Sequence, residues 1–161
     1  MTQTPSTVVF VSLTGDEEIK VYDLDSSSGA LSLRVTNPAH GPSGALFLHP
    51  TLDVLYDAHV ESTTLASFRL DRATGVIALL NSVDTGIGIP AHSITDGQGR
   101  YLLTAYYGGG GITVHCLGED GAIGEQIQHV RTGPKAHAVH ISPDDRFVIV
   151  PHVCPTNKTS Q

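Results

Sequence analysis

The chain of 161 residues has no tryptophan, one methionine and two cysteines, and only 16% of it is charged. No stretch carries a sustained three-to-four-residue apolar period, which excludes a helical bundle or coiled coil. Charge is too sparse, and the 40% hydrophobic content too high, for a disordered chain. Nine Lys and Arg stand against sixteen Asp and Glu, giving a net charge of −7. The basic residues form no cluster, which excludes a nucleic-acid footprint. No apolar run approaches the roughly 18–20 residues of a membrane helix, and residues 1–13 lack a basic leader region. Cys116 and Cys154 are far apart and share no Cys-x-x-Cys spacing. They read as small hydrophobes in a reducing, cytoplasmic setting.

What the chain has in quantity is punctuation: 17 Gly and 9 Pro, set between short Val/Ile/Leu/Tyr runs. The class is therefore all-β. The punctuation is periodic. Gly29, Gly75 and Gly121 lie 46 apart, each followed two positions later by Leu31, Ile77 or Ile123. Tyr22 and Phe68, Asp25 and Asp71, and Tyr101 and Phe147 repeat the same spacing. The strand-sized runs in the first unit are Val8–Leu13, Ile19–Asp25, Ala30–Val35 and Gly44–Leu48. The second gives Val54–Ala58, Leu65–Leu70, Val76–Val83 and Ala91–Thr95. The third gives Tyr101–Tyr106, Ile112–Leu117, Ile127–Arg131 and Ala136–Ser142, and a fourth opens with Phe147–Val153.

Four short strands in a unit of about 46 residues form the signature of a β-propeller blade. Asp-Gly, Gly-Gln-Gly and Pro-Asp-Asp supply the tight reversals that such a blade needs. A β-sandwich seldom keeps so constant a period, and solenoids repeat at shorter intervals. The predicted architecture is one partial β-propeller over 1–161, with repeats near 8–50, 51–98 and 99–145 and an incomplete one at 146–161. That makes about three and a half blades, and a ring needs at least four to close. A complementing second half, or a second copy in a homodimer, is expected to complete it.

Two phrases carry a family resemblance. One is Pro90-Ala-His92 before a strand, then Asp96-Gly-Gln-Gly-Arg-Tyr101-Leu-Leu-Thr-Ala-Tyr106-Tyr107 and Gly108–Gly111. The other is Gly133-Pro-Lys135-Ala-His137-Ala-Val-His140-Ile-Ser142-Pro-Asp-Asp-Arg-Phe147. Together they resemble the seven-bladed β-propeller lactonases, the 6-phosphogluconolactonase and 3-carboxy-cis,cis-muconate lactonising type. The resemblance covers residues 8–153 and corresponds to the N-terminal half of a family member. It implies three and a half blades of a seven-bladed ring. It also implies an enzyme that opens or closes a small acidic lactone by general acid/base chemistry, a lactone hydrolase or lactonising cyclase. The family's Ala-Asn-Tyr has Tyr106 in place of Asn, so one side-chain amide is lost. The alternative reading is a non-catalytic binding or scaffold propeller, or an inactive fragment of a longer lactonase, because fold does not fix function.

In a propeller the connections into inner strands and the loops after the next strands open at one end. Here these are 37–43, 85–91 and 132–136, and 14–18, 59–63, 108–111 and 153–157. They bring His40, His59, His92, His137 and His152 to one rim. Imidazole exchanges protons near neutral pH, as lactone chemistry requires. The family match points to His137 as general acid/base, with His92 as a second catalytic group that orients the lactone. His40, His59, Tyr107, Gly109, Lys135 and His152 complete the substrate-binding set. Lys135 and Arg131 flank the rim and suit a carboxylate or phosphate. His115 takes the place of Tyr22 and Phe68 and reads as a packing residue; His49, His129 and His140 receive no role.

No metal or cofactor is expected. His137 and His140 are three apart, which on a strand turns their rings to opposite faces. Gly108–Gly111 is not followed by a helix or by Lys-Ser/Thr, so it reads as a strand-to-strand turn rather than a phosphate loop. No Gly-x-Ser-x-Gly elbow is present, which leaves covalent nucleophilic catalysis unsupported.

Overall fold

A computed structural model describes residues 7–153 and contains thirteen β-strands. β1 (Thr7–Leu13), β2 (Glu18–Leu24) and β3 (Leu31–Pro38) form a three-stranded sheet. β4 (Ala45–Leu48), β5 (Val54–Ala58), β6 (Thr64–Leu70) and β7 (Ile77–Asp84) form a four-stranded sheet. A second one holds β8 (Pro90–Thr95), β9 (Tyr101–Tyr106), β10 (Ile112–Leu117) and β11 (Ile123–Val130). β12 (His140–Ile141) and β13 (Val148–Ile149) close the series as a two-stranded pair. Every pairing is antiparallel and follows chain order, as in the blades of a propeller.

The sequence repeat and the sheets are out of phase by one strand. The fourth run of the first unit, 44–48, pairs with β5 rather than β3, so β4 is the inner strand of the next sheet. The 37–43 connection therefore steps between blades. The last units are shorter than their sequence runs: Ala136–Ser142 contributes only His140–Ile141, and Phe147–Val153 only Val148–Ile149. Cys154 lies outside the described residues, and Cys116 is a free thiol in β10.

The period has a local physical cause. Asp25 accepts N–H groups from Ser27 and Ser28 while Gly29 takes a φ of 74°. Asp71 does the same for Ala73 and Thr74, with Gly75 at 77°. A side-chain acceptor followed by a left-handed glycine makes the outer hairpin of each blade. The third hairpin is one residue shorter and keeps Gly121 at 83°. A β-bulge recurs at Val21/Tyr22, Ser67/Phe68 and Val114/His115, so the aromatic anchor of each blade sits beside its bulge.

Blades adhere through apolar layers. Ile19, Ala39, Leu55, Phe68 and Leu70 fill the gap between the first two sheets. Val54, Tyr56, Leu65, Leu102 and Ile123 fill the next, and Leu103, Ala105, Ile112, Ala136 and Val139 the last. Side-chain amides clip neighbouring blades. Asn37 donates to Gly75 O and accepts from Ile77 N; Asn81 donates to Ile123 O at 2.8 Å and accepts from Ile123 N at 3.0 Å. At the far end from the rim, buried His49 accepts the Thr51 and Leu52 amides on Nδ1 and donates from Nε2 to Gly99 O. His49 thus does for its turn what Asp96 does for Arg100 and Tyr101.

Candidate functional site

The rim is a belt of main-chain hydrogen bonds linking successive loops. Ala39 N donates to Glu17 O, Val60 N to Pro42 O and Ile89 N to Ser62 O. Tyr107 N donates to Ile89 O, Lys135 N to Tyr107 O, and Val153 N to Lys135 O. Loops of both kinds therefore share one end, as a propeller requires. Glycine is needed where backbones nearly touch: a Cβ on Gly110 (φ 69°) would lie 2.4 Å from Gly133 O. Gly108–Gly111 is thus the β9–β10 turn, with Gly108 and Gly109 against residues 87–89 and Gly110 and Gly111 against 130–134.

Four of the eight sequence-chosen residues converge. The Tyr107 ring meets the His137 ring edge-on at 6.0 Å, and Lys135 Nζ stands 5.8 Å from its centroid. The His137 side chain is exposed, and its main-chain N–H donates to Pro151 O at 3.0 Å. His92, half-buried on inner strand β8, turns toward the same segment and accepts Val139 N–H on Nδ1 at 3.5 Å. Burial holds its pKa below the ordinary imidazole value, and the like charges of His140 and His137 add to that.

The others are placed differently. His40 is exposed with a left-handed backbone (φ 59°) and stacks 6.2 Å from Phe68. Gly109 is exposed on its turn. His152 spends both ring nitrogens on the rim itself, on Thr132 Oγ1 at 3.0 Å and Pro134 O at 2.9 Å. His59, expected on the open rim, is 2% exposed. Gly41 lies over its ring so closely that a Cβ there would be 2.4 Å from Nδ1. The loop that carries His40 closes over His59 and shields its ring from solvent.

Two groups escaped the sequence reading. His140 lies 5.4 Å from His92, centroid to centroid. The segment 137–139 is irregular rather than strand, so His137 and His140 both bear on His92 instead of facing apart. Asp57 is the other: a carboxylate inside the apolar run of β5, 1% exposed. Its Oδ1 accepts Gly44 N–H at 3.0 Å, and its Oδ2 is 3.6 Å from His59 Nε2. Burial pushes the Asp57 carboxyl up, outweighing the Ser43 hydroxyl, the Gly44 amide and His59, which pull it down. A charged residue within a buried strand was the available signal. Tyr106, in place of the family's Asn, is fully buried, its hydroxyl 3.1 Å from Thr113 Oγ1. Among the described residues, no group of three or more His, Cys, Asp or Glu is arranged to hold a metal ion.

Strand order, inter-blade layers and a histidine-bearing mouth together define a partial β-propeller. The model of the seven-bladed β-propeller lactonases matches residues 7–153, and the chain belongs to that family. It is 31% identical over 144 residues to a 6-phosphogluconolactonase of Serratia proteamaculans, covering 89% of this chain and 43% of that protein. A Pectobacterium carotovorum 6-phosphogluconolactonase is 30% identical over 149 residues, covering 89% and 42%. Among solved structures, a Pseudomonas aeruginosa periplasmic gluconolactonase superposes with a TM-score of 0.77 at 21% identity, covering 91% of this chain and 47% of that one. A Lactobacillus plantarum protein gives 0.79 at 23%, covering 91% and 48%. These two likenesses establish the fold. The chain spans under half the length of these two 6-phosphogluconolactonases.

Proposed function

We propose that this chain carries part of the substrate mouth of a lactone hydrolase acting on a small anionic lactone. The observation that carries this reading is the convergence of His137, Tyr107, Lys135 and His92 on one sector of the rim. In the proposed reaction His137 takes a proton from water as the water oxygen bonds to the lactone carbonyl carbon. The carbonyl electrons move onto oxygen, then return and expel the ring oxygen. His137 gives the proton to that leaving alkoxide, leaving a hydroxy acid. Lys135 supplies a cation for a carboxylate or phosphate on the substrate. Relatives named 6-phosphogluconolactonase and gluconolactonase favour a sugar-acid lactone, with a carboxylated muconolactone as the second candidate. A pH-stat assay over such a panel tests the reading. His137→Ala is expected to cost about 10²–10⁴ in kcat, and a folded variant with an unchanged rate removes His137 from the mechanism.

A binding or scaffold propeller is the second reading, favoured by buried Tyr106, which presents no amide at the mouth. We further propose that the ring is completed by a non-identical complement. Closed homodimers are related by a two-fold axis. A two-fold along the ring axis maps blades onto blades in pairs, and seven is odd. Two copies of this chain therefore cannot close a seven-bladed ring symmetrically.

A further inference from the structure

His92, on the inner strand of the third blade, lies against two groups of the last sheet's segment, Val139 and His140. Its Nδ1 faces the buried Val139 main chain and accepts that N–H. A neutral imidazole carries one proton, so with Nδ1 acting as acceptor the proton resides on Nε2. Nε2 is then the nitrogen left for a ligand, and it can only donate. On its other side the ring packs at 5.4 Å and 49° against His140, at the start of β12.

Resting on the lactonase reading above, we propose that His92 serves as an uncharged N–H donor rather than a proton-transfer group. It offers Nε2–H to the carbonyl oxygen that becomes negative when the lactone is attacked. His140 acts as a positioning residue that holds the ring against Val139. The surroundings agree. Burial keeps His92 neutral to lower pH, and the ionisable neighbours His140 and His137, both cationic when charged, add to that. Labour is then divided between the two histidines: exposed His137 moves the proton, and half-buried His92 steadies the developing oxyanion without exchanging one. By residue type the two are equivalent; the Val139 amide separates them.

The test reads the tautomer directly, by long-range ¹H–¹⁵N correlation on the histidine-labelled chain across pH, with signals assigned by single His→Gln variants. The expected result is Nε2–H for neutral His92, with a titration midpoint below that of an exposed histidine. In His140→Gln that midpoint should rise, because a like charge is removed. In turnover, His92→Ala should lose about 10²–10³ in kcat, and His92→Gln, which keeps an N–H, should recover at least about tenfold of it. An Nδ1–H tautomer, or a charged His92 at neutral pH, with turnover intact overturns the donor role alone. Equal rates for His92→Gln and His92→Ala in folded proteins do the same. A wild-type chain joined to its complement, with the Nε2–H tautomer but no lactone turnover, overturns the lactonase reading and the donor role together.

Discussion

Asn81 on β7 joins two blades through a single side chain, and its removal has a calculable cost. The carboxamide donates to Ile123 O at 2.8 Å, accepts from Ile123 N at 3.0 Å and receives the Ser67 hydroxyl on the same oxygen. Ile123 is 3% exposed and Ser67 is fully buried, so water replaces these partners poorly. In Asn81→Ala three hydrogen bonds go, each worth about 0.5–1.5 kcal/mol net. Rotation of the Ser67 hydroxyl to another acceptor offsets part of the loss. The expected destabilisation is about 2–3 kcal/mol in urea titrations at constant slope. Amide exchange gives a local check, because the Ile123 N–H should exchange faster while the Ile77 N–H, clipped by Asn37, should not. Asn81→Asp should be destabilised as well, since it turns an anionic oxygen toward the Ile123 carbonyl. A loss below about 0.5 kcal/mol, or equal acceleration at Ile77 and Ile123, would refute the clip.

Asp57 gives a pH signature. Its folded pKa is raised, so the native state holds this proton more tightly than the unfolded chain does. That stability is fully present below the unfolded pKa near 3.8 and is lost as pH rises through the higher folded value. Asp57→Asn cannot ionise, so its stability relative to wild type should improve from pH 4 to pH 8. The opposite slope would mean that pairing with His59 outweighs burial. Gly99→Ala should be destabilising by more than 1 kcal/mol, at least about the cost of Ala in a left-handed site. The φ there is 68° and the new Cβ would meet the His49 ring at 2.2 Å, whereas Gly86→Ala (φ 66°, open space) should show the backbone term alone. Thermal melts of both variants separate strain from collision. Light scattering of the chain by itself should give no discrete closed dimer, and a sharp dimer mass would count against a non-identical complement.

The sequence by itself determined the repeat, because its causes are local. An Asp or His acceptor caps a reversal, a glycine takes the left-handed angle, and an aromatic anchors the bulge; each depends on residues within a few positions. Strand alternation and turn spacing then lead to blades, and the family phrases at 90–111 and 133–147 lead to the lactonase propellers. Sequence order also located the rim, because the loops that share an end follow from strand direction. The tertiary structure decided what crosses between blades. It assigned β4 to the second sheet, since inner strands pair with the hairpin that follows them. It closed a loop over His59, which sequence placed in the open mouth, because Gly41 can approach the ring. It buried the local Asp57–His59 pair away from solvent and brought His140, from the last sheet, to His92. The histidines all had the same chemistry on paper. Which is buried, which is capped by an amide and which meets solvent depends on the blade packed beside it, and only the fold supplies that blade.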